Sequence, residues 1–359
     1  MNAAMLIVDA HQDIAYNALC YGRDHRDSVQ TTRAREGADA TPERNGIATN
    51  GLPDAILGRV GIVFATLFVA PAKPQPSPWD KLEYKTPREA HDLALKQWDV
   101  YQRLADDSDA IRLIQTARDL DAVLATWADG ARAHQQGMVL LMENADPILE
   151  PKQFEAWYAR GVRIVGPAWQ ATRYCGGTGE PGGLTALGRE LLEIMAGFNA
   201  ILDLSHMAEQ AYLEAVERYE GVMIASHSNP RKFCNTDRHL SDEMIRLLGA
   251  RDGVIGVVLY NRFLSNDWRS GDPKRDVPFV TILDAIDHIC QVTGSAAHVG
   301  IGTDLDGGFG AESTPEGIHT VTDLYKIADG LRARGYSDAD IEAITSGNML
   351  RKLRQGLPA

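Results

Sequence analysis

The sequence predicts an α/β protein of the (β/α)8, or TIM-barrel, class, folded as a single domain over residues 1–359. Three observations predict it. Eight short apolar runs have strand character, at 5–10, 61–69, 138–142, 162–167, 199–204, 222–226, 253–260 and 298–303, and eight is the strand number of a closed parallel barrel. Segments with helical spacing lie between them, and alternating strand and helix implies parallel strands joined by right-handed crossovers. Five of the runs stop at a residue able to bind a metal, at the strand C-termini where a barrel carries its chemistry.

Taken in order, the first run, Leu6 to Ala10, leads into His11-Gln12-Asp13. Side chains alternate faces along a strand, so His11 and Asp13 point the same way and can hold one ion. Residues 18–60 follow as a long loop whose stretch Arg23 to Glu43 is too rich in charge and turn formers to form much core. After the second strand, the loop 71–86 holds Pro71, Pro74, Pro76 and Pro78, which favour a stiff, extended path. Both loops leave strand C-termini, where they either roof the site or decorate the surface. Pro87 to Ala105 reads as a helix, and the third run, Met138 to Met142, ends at Glu143. Gln153 to Ala159 is the next helix, and the fourth strand runs on to Trp169. Leu187 to Phe198 and Ala208 to Tyr219 are helices around the fifth run, Ala200 to Ser205, which stops at His206. Val222 to Ser226 stops at His227, and helices Ser241 to Leu248 and Phe279 to Thr293 flank the seventh strand. Val299 to Thr303 stops at Asp304, and Ser337 to Leu353, with the capped start Ser337-Asp338-Ala339-Asp340, closes the barrel.

A hydrophobic content of 44% with 24% charged residues is that of an ordinary soluble globular protein. The net charge of -13 argues against nucleic acid or an anionic membrane as partner. No apolar run approaches the roughly 20 residues that span a bilayer, and a first strand starting by about Met5 leaves no room for a secretory leader. Cys20, Cys175, Cys234 and Cys290 show no CxxC spacing, so the expectation is reduced thiols in a cytoplasmic protein rather than a disulfide framework or a zinc knuckle.

The candidate ligands therefore lie on strands one (His11, Asp13), three (Glu143), five (His206), six (His227) and eight (Asp304), enough for two ions. Imidazole and carboxylate without thiolate suit zinc; manganese, iron or cobalt would accept the same set. Two ions about 3.5 to 4 Å apart need a bridging anion. Other two-metal barrels use a carboxylated lysine on strand four, and the run Arg163 to Trp169 contains none, which leaves Glu143 as the natural bridge. A water held between two cations loses a proton near neutral pH, and Asp304 is placed to orient it or carry that proton. Among the other polar residues, Asp306 reads as structural beside the Gly307-Gly308 turn. His25 and His91 are expected to be solvated, His134 (read as helical) and His288 to be packing or surface positions, and His298 to lie at the barrel bottom; His239 stays open between a substrate contact and none.

Several longer motifs follow one another in a specific order: VDAHQD at 8–13, LPDAILGRVG at 52–61, LMEN at 141–144, GLTALGRELLEIMAGFNAILDLSHM at 183–207, SHSNPRKFCNTDRHLSDE at 226–243, HVGIGTDLDGG at 298–308 and GNML at 347–350. Together they resemble the renal, or membrane, dipeptidases, zinc-dependent enzymes of the amidohydrolase-like barrel group, over nearly the whole chain. The resemblance implies a metal-dependent hydrolase that cleaves a dipeptide amide with a hydroxide bridging two zinc ions. It implies that His11 and Asp13 bind one zinc, His206 and His227 the other, with Glu143 shared and Asp304 assisting proton transfer. Arg238 matches the arginine that pairs with the dipeptide's terminal carboxylate, a task suited to a guanidinium. Homodimers are also implied, since family members commonly form them.

The chain departs from the family at one position, where mammalian members place a substrate-binding histidine after strand four and this sequence has Trp169. Gln170, Arg173 and Tyr174 are the residues expected to supply donors instead, with Arg173 or Tyr174 binding substrate. The departure keeps a second reading, in which the same dinuclear site acts on an N-acyl amino acid, a lactam or another small amide. A third, a barrel that binds a ligand without turnover, is disfavoured by the complete ligand set.

Overall fold

All eight apolar runs form strands of one sheet that closes on itself. In chain order these are β1 (Ile7–Gln12), β2 (Val60–Phe68), β3 (Gln136–Glu143), β4 (Val162–Gly166), β5 (Ile201–Asp203), β6 (Met223–Ala225), β7 (Val254–Val257) and β8 (Val299–Ile301). The computed structural model describes residues 5–37, 45–73, 80–128 and 133–359. Each strand pairs in parallel with its sequence neighbours, and β1 pairs with β8, with Asp9 opposite Ile301. The longest ladder joins β2 to β3, from Ile62 opposite Gly137 to Phe68 opposite Glu143. The result is a closed parallel barrel.

Strand alternation divides the core in two. Met138, Leu140 and Met142 of β3 belong with Val63, Ala65 and Leu67 of β2 to the large cluster that packs against the helices. Val139 and Leu141 join Val8, Ala10, Ile62, Phe64, Ile164, Ile224 and Val254 in the inner cluster, plugged by Met349 and Leu353 of the last helix. Successive strand side chains face opposite ways, so Glu143, two past Leu141, lies on the inner face at the C-terminal rim. The β1–β2 register shifts between Asp9 and Gln12, an irregularity of the kind that re-aims side chains, and His11 and Asp13 lie at and beyond it.

The long loop after β1 differs from expectation. It carries helices Val29–Glu36 and Leu52–Leu57, and Arg23, His25, Val29, Thr32, Asn45 and Thr49 within it are buried. Its polar residues can be buried because they are paired: Arg23 donates to both oxygens of Glu36 and to the Gly46 carbonyl, and His25 Nε2 lies 2.8 Å from Gln136 Oε1. His25 is therefore a packed residue, not a solvated one. The loop after β2 makes a short parallel pair, Ala70–Pro71 with Glu83–Tyr84; Pro74, Pro76 and Pro78 lie outside the described residues.

The helices over 87–106, 186–197, 209–218, 242–250 and 280–293 match the periodicity within two residues. Elements absent from the sequence reading include the helix Ile14–Tyr21, the strand Ile111–Leu113, which pairs with the start of β3, and the helices Ala117–Ala128 and Tyr325–Ala333. The closing helix starts at Ser337, whose side chain accepts from Asp340 N–H, but widens to a π-turn over Ala343–Gly347 before resuming at Asn348–Gly356. Thr345 Oγ1 donates to the Ile341 carbonyl there, a side-chain bond that competes with the helix ladder. No helix among the described residues is long and apolar enough to cross a membrane.

Candidate metal centre

The rim of the barrel brings together side chains from five strand ends. Glu143, at the end of β3, reaches the axis with its two oxygens facing different partners. Oε2 lies 3.4 Å from His11 Nε2, whereas Oε1 lies 3.2 Å from His206 Nε2 and 3.4 Å from His227 Nε2. On the first side, His11 Nε2 is 3.9 Å from both Asp13 Oδ1 and Asp304 Oδ1. On the second, the Nε2 atoms of His206 and His227 are 3.1 Å apart. Three compact groups of ligand atoms result among the described residues: His11 with Asp13 and Asp304, Glu143 with His206 and His227, and His11 with His227 and Asp203.

Two of these residues hold backbone conformations that L-residues avoid: His206 has φ +65° and Asp304 φ +59°. Such conformations cost on the order of 1–3 kcal/mol each and persist where the surroundings over-determine them. Beside Asp304 the surroundings are tight. A Cβ on Gly307 would fall 1.9 Å from Asp304 Oδ1, so this glycine is what makes room for the carboxylate.

A second layer of residues orients the first. Ser226 Oγ is 2.8 Å from His227 Nδ1 and 2.5 Å from Asp203 Oδ2, so a ring N–H can donate to the hydroxyl and the hydroxyl to the carboxylate. That arrangement leaves His227 Nε2 free as a ligand. Thr178, on the hairpin Cys175–Gly177 with Glu180–Leu184, places its hydroxyl 3.0 Å from His206 Nδ1. Thr66 donates to Asp13 Oδ1, and Asp9 ties β1 to β8 by accepting from Thr303 N–H at 2.8 Å and Thr303 Oγ1 at 2.6 Å. None of these was singled out from the sequence. A signal existed for two, since Asp9 and Asp203 are single carboxylates inside otherwise apolar strand runs.

The electrostatics suit cations. Burial lowers His206 to about 4 and His227 well below its ordinary range, with Arg238 adding to both effects, so both rings are neutral and can donate a lone pair. Burial also opposes charge on His11, but Glu143, Asp13 and Asp304 overcome it and hold the ring up to about 10. Burial pushes Asp13 up to about 6 and Asp304 well above the carboxylate range, each reinforced by carboxylate neighbours. Glu143 is instead held well below that range, because the charge and hydrogen bond of His11, with the adjoining His206 and His227 rings, outweigh its burial. Crowded buried carboxylates facing neutral imidazole nitrogens are a donor set that fits two borderline divalent ions.

A cavity of about 440 Å³ opens over this cluster and is also lined by Tyr16, Phe68, Trp169, Gln170, Arg238 and Tyr260. Arg238 is buried; its guanidinium donates to the His227 carbonyl at 2.7 Å and Ser228 Oγ at 3.3 Å and lies over the Phe263 ring at 5.3 Å. Arg173 and Tyr174 are not brought to the cavity. Arg173 is committed to Asp146 and to the carbonyls of Ile148 and Leu149, and the buried Tyr174 hydroxyl donates to Ile148. Their expected substrate contact gives way to a structural one, anchoring the segment after β4 to the loop after β3.

Five further histidines are held by contacts away from the centre. His91 Nδ1 meets the Pro147 carbonyl, His288 Nε2 meets Asp242 and His298 Nδ1 meets the Gly253 carbonyl. His134, in coil rather than in the expected helix, stacks on Trp127 at 4.2 Å. The buried His239 bonds Thr236 Oγ1 at 2.7 Å and does not line the cavity. Asp306 accepts from Thr49 N–H, Thr49 Oγ1 and Asn50 N–H, the structural loop role expected of it.

Residues 1–356 match the family described as membrane dipeptidase, peptidase family M19. An uncharacterized protein in the pqqA 5' region of Klebsiella pneumoniae is 33% identical over 214 residues, covering 57% of this chain and 76% of that protein. Dipeptidase 3 of Mus musculus is 28% identical over 173 residues, 48% of this chain and 33% of that protein. Among solved structures, a metallo peptidase from Rhodobacter sphaeroides, liganded with a phosphinate mimic of the dipeptide L-Ala-D-Ala, superposes with a TM-score of 0.78 at 22% identity, covering 98% of this chain and 99% of the other. The probable dipeptidase PvdM from Pseudomonas aeruginosa does so with a TM-score of 0.79 at 22% identity, covering 98% and 95%. At that identity the superpositions speak for the barrel, while the match along the sequence speaks for the chemistry. The chain thus belongs to the membrane dipeptidase family, peptidase family M19, and is a metallohydrolase of the dipeptidase type.

Proposed function

We propose that this chain hydrolyses the amide bond of dipeptides at a dinuclear zinc centre in which Glu143 is the shared ligand. The observation that carries the reading is the divided carboxylate of Glu143, with His11 on one oxygen and His206 and His227 on the other. His11 and Asp13 would hold one ion and His206 and His227 the second. When bound, two such ions supply an acidified water and polarisation of the scissile carbonyl.

The chain's own residues do the rest. Asp304, whose Oδ1 lies 3.9 Å from His11 Nε2 beside the cluster, takes the proton from the attacking water and passes it to the leaving amine. Arg238, whose Nε has no partner among the described residues, binds the substrate's terminal carboxylate and so fixes the amide over Glu143. The dipeptide mimic held by the Rhodobacter relative supports a substrate of this size. A second reading, an N-acyl amino acid or lactam at the same centre, is favoured by one observation: Trp169 lines the cavity where the family's histidine would stand.

A panel of L-L and L-D dipeptides, N-acyl amino acids and β-lactams, assayed with zinc-loaded protein, separates the two. Dipeptides are expected to show the highest kcat/KM. A preference for N-acyl amino acids or lactams would establish the second reading, and no turnover at all after metal loading would sink both.

A further inference from the structure

We propose that Tyr16, Phe68 and Trp169 form the subsite for the dipeptide's amino-terminal residue and select a bulky apolar side chain there. The proposal rests on the dipeptidase reading and on Arg238 as the carboxylate anchor. The ring of strands then fixes a direction. Arg238 enters from the loop after β6, and in a closed ring of eight strands the one opposite β6 is β2. Glu143 lies between them at the end of β3 and faces the axis. A dipeptide with its carboxylate on Arg238 and its amide over Glu143 must send its amino-terminal residue toward the end of β2.

Phe68 stands there, the last residue of β2 and the register partner of Glu143. Tyr16, on the helix just after Asp13, packs edge-on to Phe68 with ring centroids 5.5 Å apart. Trp169 arrives from β4 and leans the same way, 5.2 Å from Phe68 and 6.0 Å from the His206 ring. All three line the cavity. Their rings are backed by an apolar cluster of their own, with Cys20, Ala70 and Leu82 behind them, so the wall is rigid before substrate arrives. The Tyr16 hydroxyl is turned aside, 3.3 Å from that of Tyr21, which leaves the ring as the surface offered. On the Arg238 side the cavity is closed by a separate aromatic group, Tyr260 stacked on Phe309 at 4.5 Å, with Phe263 beneath the guanidinium. The two residues of a dipeptide thus meet different walls, and the amino-terminal one meets the three apolar rings, with the charged Lys73 and Asp80 also on the cavity lining.

The test is kcat/KM of the zinc-loaded enzyme on Gly-Ala, Ala-Ala, Leu-Ala and Phe-Ala, with wild type, Phe68→Ala and Trp169→His. An apolar pocket discriminates roughly ten- to two-hundredfold on a small change of apolar group, so Phe-Ala should exceed Gly-Ala by at least about tenfold in the wild type. Both variants should compress that ratio toward one, and metal analysis should find them as fully loaded as the wild type. If dipeptides are hydrolysed without preference at the first residue, or if the variants lower both substrates equally, the subsite is wrong and the dipeptidase reading stands. If no dipeptide is hydrolysed, both fall.

Discussion

At the scale of single residues, the centre depends on how each ligand's second polar atom is used. His227 offers Nε2 to the site because Ser226 and Asp203 occupy its Nδ1 side. Removing such a supporting group typically costs about 10–100-fold in metal affinity. Ser226→Ala should therefore weaken binding of the second ion by that factor in a competitive chelator titration, while leaving the fold intact; unchanged affinity would mean the serine is only packed there. Arg238 is tested differently. Its side chain is buried against the His227 carbonyl and Phe263, so Arg238→Ala should lose about 2–5 kcal/mol in kcat/KM on free dipeptides. Dipeptide amides, lacking the carboxylate, should lose much less. Equal loss on both would assign the arginine to structure.

At the scale of elements, the strand ends place the ligands and the loops complete the site. The loop after β1 is fastened by Asp306, which accepts three hydrogen bonds from Thr49 and Asn50. Hydrogen bonds to a charged group are worth roughly 1.5–3 kcal/mol each before context reduces them. Asp306→Ala is expected to lower thermal stability and to open residues 18–60 to limited proteolysis; cleavage elsewhere first would contradict this. Legibility in the sequence followed the same division. Strands were readable because the runs are largely apolar and five of the eight end on a candidate ligand, and Glu143 could be placed from its position at the end of the third run. Residues 18–60 were not, since their burial depends on pairings across long separations, Arg23 with Glu36 and His25 with Gln136, that no local pattern reveals. Trp169 lines the cavity, whereas Arg173 and Tyr174, its near neighbours in sequence, turn their side chains to the loop after β3. Asp9 and Asp203 are legible in the sequence only as single acids inside otherwise apolar runs.

At the scale of the whole molecule, the centre couples metal, protons and stability. In the metal-free chain, Asp13 is raised from 3.8 to about 6, mainly by burial. A carboxyl with a raised folded-state pKa binds its proton more tightly folded than unfolded. Its contribution is fully present below the unfolded value and is lost as pH rises through the folded one. Asp13 should accordingly contribute a loss of thermal stability in chelator-treated protein as pH rises from about 4 to about 6, against a gain from the lowered His206 and His227, so the stability of wild type relative to Asp13→Asn should fall across that window. Metal loading should reverse the trend, because cations favour the deprotonated ligands. Scanning calorimetry with and without chelator reads both effects, and a variant that tracks the wild type across this window would refute the assignment.

The central claim is that Glu143 joins two ions into one catalytic centre. Its most direct measurement is elemental analysis of reconstituted wild type and Glu143→Gln, with dipeptide turnover measured on the same samples. Two divalent ions per wild-type chain, falling to one or none in the variant with turnover lost, is the predicted result. Full dipeptide turnover by a wild-type chain that holds a single ion, or by a Glu143→Gln chain, would contradict it.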